Sequence, residues 1–181
     1  MNSEREFHNL ALIGFMGVGK TSVGKRAARR LGFRFVDTDL MIEAREGRSI
    51  PEIFAAEGEP YFRGLEAQVV AELASERGLV IATGGGLGAN PEHLQNLKRH
   101  ALVVCLWASP DIIWERVRRK KNRPLLAAPD PKARIRELLN RRMAVYRQAD
   151  VLMNTGLRPL TLLVRQVVYH FRLVRGEKRS R

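Results

Sequence analysis

Five short apolar runs recur along the chain, at residues 10–15, 33–36, 79–82, 101–107 and 151–153. Each is nearly continuous in aliphatic and aromatic residues rather than alternating, as in strands covered on both faces. Between them apolar positions return with helical spacing, which predicts helices over 21–31, 53–56, 61–77, 91–99, 110–119, 131–148 and 160–174. Pro91, Pro110 and Pro131 stand at the first turns of three of these, where the missing N–H is harmless. Strands alternating with helices predict an α/β fold, a parallel sheet wrapped by helices, in one domain over 1–181. Two stretches break the alternation: 39–63 after the second run, and the basic, proline-bearing 120–129. Neither internal repeats nor low-complexity segments appear.

The first apolar run leads into Gly14-Phe15-Met16-Gly17-Val18-Gly19-Lys20-Thr21, a complete GxxxxGK[ST] phosphate-binding loop that opens the first helix. Its glycines let the backbone curl so that successive N–H groups face a phosphate, helped by the positive helix end. Gly17, Val18, Gly19, Lys20, Thr21 and Ser22 form the candidate nucleotide contact. Lys20 reaches the β- and γ-phosphates, and the Thr21 hydroxyl ligates the accompanying Mg²⁺. The chain therefore binds a nucleoside triphosphate, and the two interruptions are where a small kinase would seat its acceptor and close a lid.

Other motifs are weaker one by one. Asp37-Thr38-Asp39 closes the second run, where open parallel sheets place their ligand crevice. These carboxylates suit orienting an acceptor hydroxyl, accepting its proton or holding a metal's water shell, and equally suit a helix N-cap. Arg63 and Glu66 lie three residues apart on a helical face, either as a surface ion pair or as a fork held for a carboxylate. Gly84, Gly85 and Gly86 close the third run, and three consecutive glycines imply close approach of a ligand to backbone, or else a plain mobile loop. Arg123 ends a basic run that begins at Arg116, fit to neutralise charge on a transferring phosphoryl group or to form a solvated face. Arg147 follows Tyr146 near the end of a long helix, which equally suits a helix C-terminal charge and nothing more.

Composition narrows the class. No apolar run approaches the roughly 20 residues of a membrane-spanning helix. The polar residues 1–9 resemble neither a signal nor a transit peptide. A single cysteine, Cys105, sits inside an apolar run, which predicts a core thiol in a reducing cytoplasm and excludes a disulfide framework. His8, His93, His100 and His170 show no paired ligand spacing, and no Ser/His/Asp or zinc-ligand arrangement is visible. The net charge is +13, with twelve Lys or Arg against two acids from Arg116 to Arg147, and five against one from Arg172 to Arg181. An anionic ligand explains the first cluster and a solvated basic tail, 172–181, the second. Nucleic acid is the competing partner, without a recognition-helix or RNA-binding signature to support it.

Taken in order, GFMGVGKT, DTD, FRxxE, GGG, RPLL and YR resemble the shikimate kinase family, from Leu10 to Val168. The resemblance implies a three-layer α/β/α fold of the P-loop type with a five-stranded parallel sheet in the order 2-3-1-4-5. It further implies an acceptor-binding insertion at about 39–66 and a lid at about 118–130. The implied reaction moves the γ-phosphoryl group of ATP to the 3-hydroxyl of shikimate. The products are ADP and shikimate 3-phosphate, on the route to chorismate and the aromatic amino acids. Lys20, Asp39 and Arg123 are then the catalytic residues, with Asp39 as positioner or base. Arg63 and Arg147 clamp the shikimate carboxylate, Glu66 holds Arg63, and Gly84, Gly85 and Gly86 admit the ring. Thr21 and Asp37 hold Mg²⁺, and Arg123 reaches the phosphates. Adenine lies between Arg118 or Arg119 and the loop 154–159, which carries Arg158 and Pro159. A cytoplasmic monomer without membrane or nucleic-acid partner is expected. The rivals are another small-metabolite kinase of the gluconate kinase type and a non-catalytic nucleotide sensor or nucleic-acid-binding module.

Overall fold

The computed structural model describes residues 5–118 and 129–176. Five parallel strands, β1 (Asn9–Ile13), β2 (Arg34–Asp37), β3 (Leu79–Ala82), β4 (Ala101–Trp107) and β5 (Val151–Asn154), form one sheet in the order β2-β3-β1-β4-β5. The expected strand order is therefore the observed one. Successive strand residues face opposite sides. Leu10, Leu12, Val104 and Leu106 thus pack with Val23, Ile113, Val164 and Phe171 in one buried layer. Ala11, Ile13, Val103 and Cys105 pack with Ile53, Val69, Leu73 and Leu97 in the other. Helices α1 (Lys20–Leu31), α5 (Pro110–Val117) and α7 (Leu160–Val174) contribute to the first layer, and α3 (Ile50–Ala74) and α4 (Pro91–His100) to the second. Helix α6 (Pro131–Tyr146) contributes to both, through Ile135 and Leu138 on one side and Tyr146 on the other.

The insertion after β2 is more regular than its polar sequence suggested. It begins with a helix, α2 (Thr38–Glu46), which starts directly on the last residue of β2 because the Asp37 side chain accepts from the Asp39 N–H. Gly47 in the left-handed conformation ends it. The two helices expected at 53–56 and 61–77 are the two segments of α3, which is interrupted at Gly58, where φ of 81° and ψ of 179° are not helical. Pro60 lacks the N–H that a straight helix would donate there, and Gly58 takes up the break.

Register aligns Asp37 with Ala82, Leu12 with Ala82, Ile13 with Cys105, and Trp107 with Asn154. The carboxyl ends of all five strands therefore lie at one edge, and the phosphate loop, Asp37, Thr83 and Thr155 emerge there side by side.

Candidate active site

A cleft of about 640 Å³ opens along this edge, lined by residues 16–23 of the phosphate loop and α1 together with Asp37, Asp39, Thr83 and Gly85. Arg116, Thr155, Arg158 and Leu160 close its other end. The loop turns at glycines with positive φ, Gly17 at 78° and Gly19 at 99°, which side chains rarely adopt. Lys20 Nζ donates to the carbonyls of Gly14 at 2.8 Å and Phe15 at 2.9 Å, holding the ammonium at the loop. Thr21 Oγ1 donates to Asp37 Oδ2 at 3.0 Å. Asp37 thus caps α2 and faces the phosphate loop at once.

Of the residues expected to meet the nucleotide, 17–22 and Arg158 line the cleft. Pro159 sits beside them as the N-cap of α7. Arg118 turns to Glu115 at 2.8 Å, leaving the cleft to Arg116. The Arg116 guanidinium donates to the Gly17 carbonyl at 3.4 Å, to Thr155 Oγ1 at 3.0 Å and to the Thr155 carbonyl at 2.7 Å. It ties the phosphate loop to the segment after β5, a role that the basic run concealed. Arg119, Arg123 and residues 177–181 lie outside the described residues.

The acceptor side is built from side chains laid on the triple glycine. The Asp39 carboxylate lies where a Cβ at Gly84 would stand, and the Arg63 guanidinium where a Cβ at Gly86 would stand. Either substitution would collide with the charged group beside it, so these two positions of the loop favour the absence of a side chain. Thr38 Oγ1 accepts from the Gly84 N–H at 2.9 Å and fixes the loop against α2. Arg63 donates to Glu66 at 2.6 Å and to Glu59 at 2.7 Å, and remains 34% exposed. Glu66 is 1% exposed, and its second carboxylate oxygen has no hydrogen-bond partner among the described residues. Burial pushes its carboxyl above the ordinary range; Arg63 pulls it down, and the nearby Asp39 charge pushes it up. An acid this deep in the apolar stripe of α3 anchors Arg63 rather than decorating a surface.

The position of Arg147 departs from expectation. It caps the end of α6, is exposed, and lines a second cleft with Phe15, Cys105 and Trp107 rather than the one holding Asp39. The residue that α6 brings to the glycines is Arg142, whose Nη1 donates to the Gly85 carbonyl at 2.8 Å while its guanidinium lies 5.3 Å from the Phe15 ring centroid. Tyr146, one turn on, donates its hydroxyl to the same carbonyl at 3.3 Å. Five residues rotate a helix by about 140°, so Arg142 and Arg147 cannot serve one site. A signal for Arg142 was present: Ile135, Leu138, Leu139 and Tyr146 form the buried face of α6, and Arg142 falls in phase with them.

Comparison with known proteins accords with this geometry. The family model described as Shikimate kinase matches residues 16–171. The shikimate kinase of Thermodesulfovibrio yellowstonii is 44% identical over 170 residues, covering 93% of this chain and 98% of that one. The solved structure of shikimate kinase from Acinetobacter baumannii in complex with shikimate superposes with a TM-score of 0.86 at 37% identity, covering 96% of both chains. A gluconokinase from Sinorhizobium meliloti, 19% identical with a TM-score of 0.61 and covering 95% of this chain and 97% of that one, shares the fold alone. A P-loop cleft, a carboxylate and two arginines gathered on three glycines, and kinship across nearly the whole chain agree: the chain belongs to the shikimate kinase family.

Proposed function

We propose that this cleft transfers the γ-phosphoryl group of ATP to the 3-hydroxyl of shikimate, releasing ADP and shikimate 3-phosphate. The observation that carries the reading is the meeting of Asp39, Arg63 and Arg142 on Gly84–Gly86, at the edge of the phosphate-loop cleft. Two guanidinium groups suit one carboxylate, gripped through paired N–H donors. Asp39 then orients the acceptor hydroxyl and takes its proton as the new P–O bond forms. Lys20 and the loop N–H groups neutralise the phosphates, and catalysis rests on positioning and charge rather than on a covalent enzyme intermediate.

Thr21 Oγ1 and Asp37 Oδ2, 3.0 Å apart beside the loop, fit a hard cation that keeps most of its waters and shares phosphate oxygens. Bound there, Mg²⁺ supplies charge neutralisation to the β- and γ-phosphates. In the same reading residues 39–66 form the acceptor-binding insertion, and 118–130 a lid whose Arg119 and Arg123 serve adenine and phosphates. Arg158 and Pro159 complete the adenine side, with Arg116 setting the distance between the two loops. The enzyme acts as a cytoplasmic monomer, and sedimentation of the purified chain tests its oligomeric state.

The deciding experiment measures ADP release with ATP and Mg²⁺ in the presence of shikimate, of gluconate, or of neither. Rapid release with shikimate alone is the expected result. Release that is equal with gluconate, or independent of any acceptor, would overturn the assignment.

A further inference from the structure

The amino ends of the strands, opposite the catalytic cleft, hold a buried polar node that the phosphoryl transfer does not use. Asn9, the first residue of β1, is fully buried, and its side chain ties three elements together. Its Oδ1 accepts from the Leu79 N–H at 2.9 Å, where β3 begins. Its Nδ2 donates to the Glu76 carbonyl at 2.7 Å, in the turn after α3. The same Nδ2 lies 3.0 Å from Nδ1 of His100, the last residue of α4. His100 is 6% exposed, and its Nε2 is buried without a hydrogen-bond partner among the described residues.

These contacts leave His100 one protonation state. A backbone N–H only donates, so the Asn9 atom that faces Leu79 is the carbonyl oxygen, and the atom that faces His100 is the amide nitrogen. An amide nitrogen also only donates, so Nδ1 of His100 accepts and the single ring proton sits on Nε2. An imidazolium would set one N–H against the Asn9 amide group and leave a second buried N–H with nothing to receive it. A histidine in the last turn of a helix is ordinarily favoured as a cation. Here burial and the Asn9 contact oppose the charge, and burial holds the ring's pKa below its usual value. The surrounding charges do not reverse this. Arg5 and Lys98 pair with Asp150, Glu76 pairs with Arg34, and Arg77 and Arg99 are exposed. His8, beside Glu6, adds repulsion.

The ring also sits where the N-terminal segment joins the sheet. The His8 N–H donates to the His100 carbonyl at 3.1 Å, and the Gly78 N–H donates to the His8 carbonyl at 3.2 Å. Arg5 donates to the carbonyls of Lys98 at 2.8 Å and Ala101 at 3.1 Å. We propose that His100 is an acid-sensitive latch: neutral, it closes the seam between residues 5–9, the start of β3 and the end of α4, and protonated, it opens that seam ahead of the rest of the fold. The stabilisation is present in full above about pH 6.5, the ordinary histidine value of an unfolded chain. It is lost as the pH falls through the lower folded-state value, because the unfolded chain takes up the proton first.

The test uses the full chain. Nitrogen-15 NMR at pH 7.5 should show His100 protonated at Nε2 alone, with a titration midpoint below about 6.5. Between pH 7.5 and 5.0, amide-exchange protection at His8 and Leu79, corrected for the intrinsic rate, should fall at least tenfold relative to Val104 in β4. His100→Asn keeps an acceptor in the place of Nδ1 and cannot titrate. Its protection ratio should hold over the same range, and its melting temperature should fall by about 3 °C less than that of the wild type. His100→Leu supplies no acceptor and should melt below His100→Asn at pH 7.5. A proton on Nδ1 at pH 7.5, a midpoint at or above the ordinary value, or unchanged protection in the acidified wild type would each overturn the latch. An equal acid-induced loss in His100→Asn would overturn it too, by assigning the effect to another group. His100→Leu melting level with His100→Asn would overturn the part given to the Asn9 contact.

Discussion

Glycine does two different jobs on the two sides of the catalytic cleft. At Gly19 of the phosphate loop it supplies conformation alone: φ is 99°, and a Cβ there would meet nothing within 4 Å. In the loop after β3 it supplies space: Gly84 and Gly86 keep φ outside the left-handed region, yet a Cβ on either would enter a charged side chain. The contrast follows from what each side binds. Phosphates are met by backbone N–H groups, so the backbone itself must be shaped. On the function proposed above the acid is met by Asp39, Arg63 and Arg142, so the backbone must step back to let side chains in. One side depends on a strained curve, the other on an emptied volume, and substitutions can separate the two.

The severest substitutions remove one charge from each side. Lys20→Ala and Asp39→Asn should each lower kcat by about 10³-fold, on the scale of losing a preorganised charge or a positioned base. Circular dichroism should stay unchanged in both. A folded Asp39→Asn protein within tenfold of wild-type kcat would remove Asp39 from the reaction. Next in size comes the glycine pair. Gly84→Ala should cost about 10² in kcat/KM for shikimate, because the Asp39 carboxylate must move by an ångström or so. Gly19→Ala should cost about 10-fold in kcat/KM for ATP, since a left-handed residue other than glycine carries roughly 1–2 kcal/mol. If both variants lost the same substrate, the division of labour between conformation and space would be wrong.

These differences explain what could be read along the chain. The phosphate loop is eight consecutive residues whose function is local backbone geometry, so its spelling is its structure. Parallel strands covered on both faces also announce themselves, because runs such as Ala101–Trp107 have no solvent side. Helix α2 did not, because its start depends on Asp37 capping its own chain straight off a strand, with no intervening loop to mark the boundary. The acid site is a tertiary object drawn from α2, α3, the glycine loop and α6, and there a helix phase decides which side chain arrives. Adjacency to Tyr146 in the sequence points to Arg147, whereas rotation about the helix delivers Arg142 to the glycines. Glu66 and Arg142 were legible in another way, as charges placed in phase with apolar stripes.

The arginine pair on α6 sharpens the comparison further. Arg142→Ala should raise the KM for shikimate about 10- to 100-fold, the usual worth of a hydrogen bond to a charged group. Arg147→Ala should leave it within twofold. Saturation transfer to bound shikimate, or steady-state kinetics at fixed ATP, distinguishes them. The reverse ranking would return the carboxylate to the end of the helix and dissolve the site described here.

The smallest effect concerns Glu66, where function and stability are expected to part. Burial lifts its carboxyl above the ordinary range in spite of Arg63, so the folded chain holds this proton at pH values where the unfolded chain has released it. Glu66 therefore supports the fold most at pH below about 4, the ordinary glutamate range, and that support is lost as pH rises through the raised value. Glu66→Gln removes the dependence. At pH 7.5 the variant should melt level with the wild type or about 2–4 °C above it, the shift that roughly 1 kcal/mol produces at this chain length. Its shikimate KM should nonetheless rise about fivefold, because a neutral amide holds the Arg63 fork less firmly than a carboxylate. The melting-temperature difference should shrink as the pH is lowered toward 4, while the KM defect measured at neutral pH persists. A variant that melts lower than the wild type at pH 7.5, with an unaltered pH profile, would mean that the pair with Arg63 outweighs the burial of Glu66. The acid side of the cleft would then be stabilised by its charges, not strained by them.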